Sequence, residues 1–152
     1  MESIDQIMQH DHKRLDRLLE QSAEAVSHGA WQEAAHFLEA FRHGIVDGHM
    51  TVEESTLFPA FERQKGDAAQ SLTALLRKGH QDLRIFFEEM AEAIHEQDAE
   101  TFEDLLSTVQ TILKQHDARE ENELYPFLTN ALTDHGEAAG RRILDFEAEA
   151  KS

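Results

Sequence analysis

The chain reads as an all-α protein, and three observations carry that reading. Apolar residues recur at three- and four-residue spacing along nearly its whole length. Only two prolines and seven glycines interrupt the pattern. No window of four to eight residues alternates polar and apolar side chains with β-branched enrichment, as a half-buried strand would. Four long helices with short connections then predict an up-down-up-down four-helix bundle, followed by a short C-terminal helix.

The elements follow in order. Ser3 is the N-cap expected for the first helix, with Gln6 as its capping-box partner. Ile4, Ile7, Met8, Leu15, Leu18, Leu19 and Val26 form its stripe, and Ser27-His28-Gly29 breaks it. A second helix is expected from about Ala30 to Arg63, with Trp31 as an apolar plug at its start and Leu38, Phe41, Ile45, His49, Val52 and Thr56 on one face. Lys65-Gly66-Asp67 is a turn, with Asp67 expected to cap the third helix. There Leu72, Leu75, Leu76, Leu83, Phe86, Phe87, Met90 and Ile94 carry the apolar side. After a turn at Gln97-Asp98, the fourth helix carries Phe102, Leu105, Leu106, Val109, Ile112 and Leu113. The fifth is expected at about 134–150, with Ala139, Ile143, Phe146 and Ala150 on one side.

At 152 residues the chain is the size of one domain, expected over 1–152 with the bundle at about 3–130. Roughly 70% of the unfolded surface can be buried at this length, so a true core is possible. A formal net charge of −17 argues against nucleic acid or an anionic membrane as the partner. The absence of cysteine excludes disulfides, thiolate metal sites and cysteine nucleophiles. Leu124–Thr133, the longest stretch without Asp, Glu, Lys or Arg, falls far short of the roughly 20 residues of a membrane span. Glu2 and Asp5 early in the chain do not suit a secretory signal. A cytoplasmic protein is expected. Ten histidines remain to be explained.

An internal repeat explains four of them. HMTVEESTLFPAF from His49 and HDAREENELYPFL from His116 both read His-x-x-x-Glu-Glu-x-x-Leu-aromatic-Pro, 67 residues apart and without a gap. Upstream, HKRLDRLLE from His12 and HQDLRIFFE from His80 match at a distance of 68 residues. Each half is therefore a helical hairpin with His on its first helix and His-x-x-x-Glu on its second. Two such hairpins should pack about a pseudo-twofold axis.

Residues four apart share a helix face, so His49 pairs with Glu53 and His116 with Glu120. The apolar stripes run directly into both pairs and turn them toward the core. A lone buried Glu would cost several kcal/mol. Four inward His and two inward Glu can satisfy one another by holding metal. With each Glu bridging, the count suits two ions, each with two His nitrogens and two carboxylate oxygens. An oxo or hydroxo bridge would add a fifth ligand and leave one position open. Imidazole and carboxylate without thiolate suit iron or manganese, with zinc possible.

These motifs resemble the hemerythrin-like, or HHE cation-binding, family over roughly Ser3 to Asn130. The resemblance implies metal ligands at His12, His49, Glu53, His80, His116 and Glu120, holding two iron ions. It implies a non-haem di-iron protein that binds or reacts with dioxygen, peroxide or nitric oxide, in stress response or sensing. The alternatives are an iron reservoir or sensor and a reversible oxygen carrier. Two positions depart from the oxygen carriers of the family. Arg84 stands where they place a further His, one turn after the third-helix ligand. The last ligand motif here is His116-x-x-x-Glu120, where they have His-x-x-x-x-Asp. The pattern is nearer to members linked with iron-centre repair, nitric oxide and iron sensing, though it lacks the cysteine-containing segment of the repair proteins.

The remaining motif residues have plainer expected roles. Glu54 and Glu121 lie about 100° round the helix from Glu53 and Glu120, solvated or supporting the ligand histidines. Leu57, Phe58, Pro59, Leu124, Tyr125 and Pro126 should pack the bundle end and stop or kink the helices. Proton or radical donation by Tyr125 is the alternative to packing. Glu33-x-x-His36 and Glu92-x-x-His95 match the Glu-x-x-His of ferritin-like proteins, but break the repeat and leave the apolar stripes. His10, His28, His43 and His135 are expected at the surface. His49 and His116, equivalent in the repeat, should respond alike to mutation. Bound metal should leave below about pH 5, where protons compete for four imidazoles of reference pKa about 6.5. A homodimer is compatible with the pattern.

Overall fold

The computed structural model describes residues 2–128 and 134–151, and in the last helix the side chains of 137–149. Among the described residues every regular element is helical. Helix α1 covers Ile4–Ser27. Its start is the expected capping box: the Ser3 hydroxyl accepts the Gln6 N–H at 3.2 Å, and Gln6 Oε1 accepts the Ser3 N–H at 3.0 Å. Past its end Gly29 takes a φ of 68°, open to glycine without strain, and the chain reverses.

The second rod, residues 31–65, is not a plain α-helix. It opens as α2, Trp31–Arg42, and closes as α3, Phe58–Lys65. Between them lie two wider π-type stretches, His43–Met50 and Glu53–Leu57. The fourth rod repeats the device. Helix α5, Ala99–Arg119, runs into a π stretch at Glu120–Leu124 and a 3-10 turn at Tyr125–Phe127. Each of the chain's two prolines thus sits just past a π stretch. A proline has no N–H to return to the preceding turn, and the wide turn absorbs that mismatch.

Two expected details are corrected. Asp67 does not cap α4, Asp67–His95; it is the first helical residue, and Gly66 at φ 69° holds the cap position without a side-chain hydrogen bond. Leu75 leaves the apolar face and is 49% exposed, while Thr73 is buried and its hydroxyl donates to Glu62 at 2.7 Å. Asp98 does cap α5, accepting the Thr101 N–H at 3.1 Å.

Helix α1 packs on α2 and α4 on α5; α2 meets α4, and α1 meets α5. Helix α6, Asp134–Lys151, lies on α1 and on the first π stretch, with Ala139 and Ile143 buried. Ala150, expected on the apolar side of this helix, and His135, expected at the surface, lie outside the described side chains. The core divides into two apolar clusters. One gathers Leu15, Phe41, Leu83, Phe87, Val109 and Leu113. The other gathers Met8, Val52, Phe58, Leu76, Leu124 and Tyr125. On each of the four rods a histidine stands where one cluster gives way to the other. This is a polar layer between two apolar clusters, and its four histidines are buried.

Candidate metal centre

The six residues expected to lie together do so. All are buried, and both glutamates are fully buried. Two sets of four donor atoms converge, each set within 4.8 Å: His12, His49, Glu53 and Glu120 in one, and His80, His116, Glu53 and Glu120 in the other. The i, i+4 pairs meet as their spacing requires. His49 Nε2 is 3.5 Å from Glu53 Oε2, and His116 Nε2 is 3.3 Å from Glu120 Oε2. Each glutamate turns one oxygen to each half: Glu53 Oε1 lies 3.1 Å from His80 Nε2, and Glu120 Oε1 lies 3.3 Å from His12 Nε2.

In the His80/His116 half, Glu53 Oε1, His80 Nε2, His116 Nε2 and Glu120 Oε2 are buried and form no hydrogen bond. They approach closely, but no N–H or O–H is aimed along the short lines between them. Four buried donors left without hydrogen-bonding partners would be costly as a resting arrangement. Together they fit a cation.

In the His12/His49 half, the Tyr125 hydroxyl stands among the donors. It donates to Glu53 Oε2 at 2.6 Å and lies 3.1 Å from Glu120 Oε1 and 3.2 Å from both His12 Nε2 and His49 Nε2. Packing describes Tyr125 only in part, because its ring fills the core while its oxygen reaches the polar layer. The sequence predicts a packed ring at this position, but not where its hydroxyl ends up.

Carboxylates orient three of the rings from behind. His12 Nδ1 donates to Glu121 and His80 Nδ1 to Glu54, both at 2.7 Å. Glu54 and Glu121, expected to be solvated or to support the histidines, are each brought to a histidine of the cluster. His49 Nδ1 donates to Asp11 at 2.8 Å, which Arg14 holds at 3.0 Å. Asp11 was missed. Its signal was present: it occupies the buried stripe of Ile4, Ile7, Met8 and Leu15, where an acid requires a partner. Each such contact fixes the ring and frees Nε2 to face the centre. The repeat counterpart of Asp11 is Gly79, and a Cβ there would lie 2.9 Å from His116 Nδ1. Asp117, also missed, brings an oxygen within 3.4 Å of His12 Nε2.

Electrostatics follow from crowding acids and imidazoles in a dry layer. Burial disfavours charge on His49, but the Glu53 carboxylate and the Asp11 hydrogen bond prevail and lift its pKa to about 10. Against the same penalty, the Glu53 carboxylate 3.1 Å away and the hydrogen bond to Glu54 lift His80 to about 9. His12 is raised well above its usual value by Asp117, Glu120 and Glu121 despite burial. Glu53 answers with a pKa well below the carboxylate range, where His49 overcomes burial. Burial, with the charge of Glu120, pushes Asp117 up to about 7. Without a cation these imidazoles hold protons beside the buried carboxylates, and a cation bound there would displace them.

The hemerythrin HHE cation-binding domain model matches residues 3–128. The chain belongs to this family. No curated protein and no solved structure matches it at a significant level. Within the hemerythrin frame Arg84 is informative. Its guanidinium donates to Glu54 at 2.7 Å, so it supports the carboxylate behind His80. The ferritin-like alternative finds no support, because Glu33, His36, Glu92 and His95 are all exposed. His10 and His43 pair with Glu147 and with Asp47 and Glu149, away from the centre. No helix among the described residues is long and apolar enough to cross a membrane.

Proposed function

We propose that this hemerythrin-family chain is a non-haem di-iron protein that binds or reacts with dioxygen, peroxide or nitric oxide. The observation that carries it is the quartet of buried donors, Glu53 Oε1, His80 Nε2, His116 Nε2 and Glu120 Oε2, left without hydrogen bonds beside a second four-donor set sharing both carboxylates. In this reading His12 and His49 hold one ion, His80 and His116 the other, and Glu53 and Glu120 bridge them. Nitrogen and carboxylate donors without thiolate favour iron over zinc, with manganese the nearer rival. Iron bound there supplies one-electron chemistry and exchangeable positions for a small ligand.

The chain's own residues do the rest. Asp11, Glu54 and Glu121 orient three imidazoles. Leu15, Phe41, Ile45, Met50 and Leu83 wall the centre and keep bulk water out. The cavity beside the donors is about 10 Å³, room for about one water molecule, which favours a small ligand over an organic substrate. The short connections and the repeat support an up-down-up-down arrangement of two hairpins about a pseudo-twofold axis, with α6 added outside.

Metal analysis of the purified protein should give two irons per chain. Rapid mixing of the reduced protein with oxygen, peroxide or nitric oxide, followed by absorbance, should show a fast spectral change. The reduced protein should oxidise in air without a lasting oxygenated form. A colour that persists for minutes and reverses on oxygen removal would restore the carrier reading. Two irons indifferent to all three ligands would make the protein a reservoir. One ion per chain, or zinc without affinity for iron, would end the di-iron reading.

A further inference from the structure

We propose that Tyr125 is itself a metal ligand, binding through its phenolate oxygen in the His12/His49 half, so that the two ions of the centre are chemically unlike. The inference rests on the di-iron reading above and adds a donor to it.

The first support is the spacing around one oxygen. Tyr125 Oη has four neighbours at 2.6 to 3.2 Å: Glu53 Oε2, Glu120 Oε1, His12 Nε2 and His49 Nε2. These are the four donors of that half. Neighbouring ligands on an octahedral ion with bonds of about 2.1 Å are separated by about 3 Å. A phenol has one proton to give and can accept N–H bonds from His12 and His49, so as a neutral hydroxyl it meets both imidazoles and one carboxylate. The second carboxylate oxygen, Glu120 Oε1 at 3.1 Å, faces an oxygen whose proton already points to Glu53, a spacing that a shared ion would impose.

The second support is the repeat. The counterpart of Tyr125 is Phe58, 67 residues earlier. Phe58 stacks on His80 with centroids 5.5 Å apart, as Tyr125 lies 5.7 Å from His12. The rings are equivalently placed; only one carries oxygen. Backbone geometry sets both rings alike: each follows a π stretch and returns its N–H to the glutamate five residues earlier, Phe58 to Glu53 and Tyr125 to Glu120. That i to i+5 closure sets each ring over its glutamate, where an α-turn would carry it round to another face. In forming the bond the phenol releases its proton to bulk water and no electron moves.

The sole tyrosine of the chain makes the test residue-specific without mutation. Protein loaded with ferric iron should show a visible phenolate-to-iron charge-transfer band. Resonance Raman excitation into it should enhance tyrosinate ring modes that shift in protein grown on ring-deuterated tyrosine. Tyr125→Phe should abolish band and modes while circular dichroism stays helical. Iron bound at two per chain without the band, or with modes insensitive to the label, overturns the proposal and leaves the di-iron reading intact. A wild-type chain that binds no iron overturns both.

Discussion

The two halves of the centre start from matching motifs and end unlike. In the His12/His49 half every donor has a partner: Tyr125 joins all four, Asp11 holds one imidazole and Glu121 the other. In the His80/His116 half, Glu54 steadies His80, Phe58 replaces the phenol, Gly79 replaces the acid, and four polar atoms are left over. A repeated motif fixes where ligands fall. The residues beside the motif then decide how firmly each half is held. Three substitutions, at positions 11/79, 58/125 and 50/117, convert an approximate twofold into two different sites.

The largest test removes what the halves share. Glu53→Ala should empty both, taking metal from two ions to none by elemental analysis. It also strands charged His49 and His80 in a dry layer. The metal-free protein should lose about 3–5 kcal/mol in chemical denaturation. Retention of one tightly held ion would show that the halves do not depend on a common bridge.

Next comes the pair that the repeat makes equivalent. His49→Ala and His116→Ala should each lose metal, but not at equal cost. His49→Ala also deprives buried Asp11 of a partner, so metal-free stability should fall by about 1–3 kcal/mol more than for His116→Ala. Equal denaturation midpoints would restore the symmetry expected from sequence.

A smaller effect is expected from pH. His49 at about 10 and His80 at about 9 lie above the unfolded value of 6.5. Their contribution to metal-free stability is full below about pH 6.5 and is lost as pH rises through about 9 and then 10. Iron must displace those protons, so its affinity moves the other way and tightens from about pH 6 to about pH 9. Competition is thereby carried well above the acid range that unperturbed imidazoles would set. Chelator competition and denaturation across this range check both directions, and metal-free stability that climbs toward pH 10 would refute the assignment.

The smallest effect should come from outside either half. His36→Ala and His95→Ala should leave metal content unchanged and stability within about 0.5 kcal/mol. Loss of metal in either would revive the ferritin-like motif.

The helices and the six-residue cluster were legible because periodicity and the repeat are written in one dimension. Each ligand histidine lies on an apolar stripe, so its direction follows from its neighbours. What was not legible depends on contacts between distant segments. Asp11 meets His49 across 38 positions, and only its place among buried apolar residues betrays it. Two of the three π stretches carry no residue signature beyond the proline that follows, and the first, His43–Met50, lacks even that. Tyr125 was legible as a ring, but its oxygen acquires meaning only where four helical rods bring their donors together. Asp67 and Leu75 failed for a local reason: a glycine took over the cap, and Thr73, tied to Glu62, took the buried turn.

Gly79 shows how a residue without chemistry can be as restricted as a ligand. A methyl group there would come within 2.9 Å of His116 Nδ1, inside ordinary contact distance. His116 is buried, so its ring has little room to retreat. The position therefore acts as a mould for an imidazole. Its mutational tolerance should be among the narrowest of any α4 site, with alanine already displacing the ring it shapes. In a library of variants selected for iron, position 79 should return glycine as stubbornly as position 116 returns histidine.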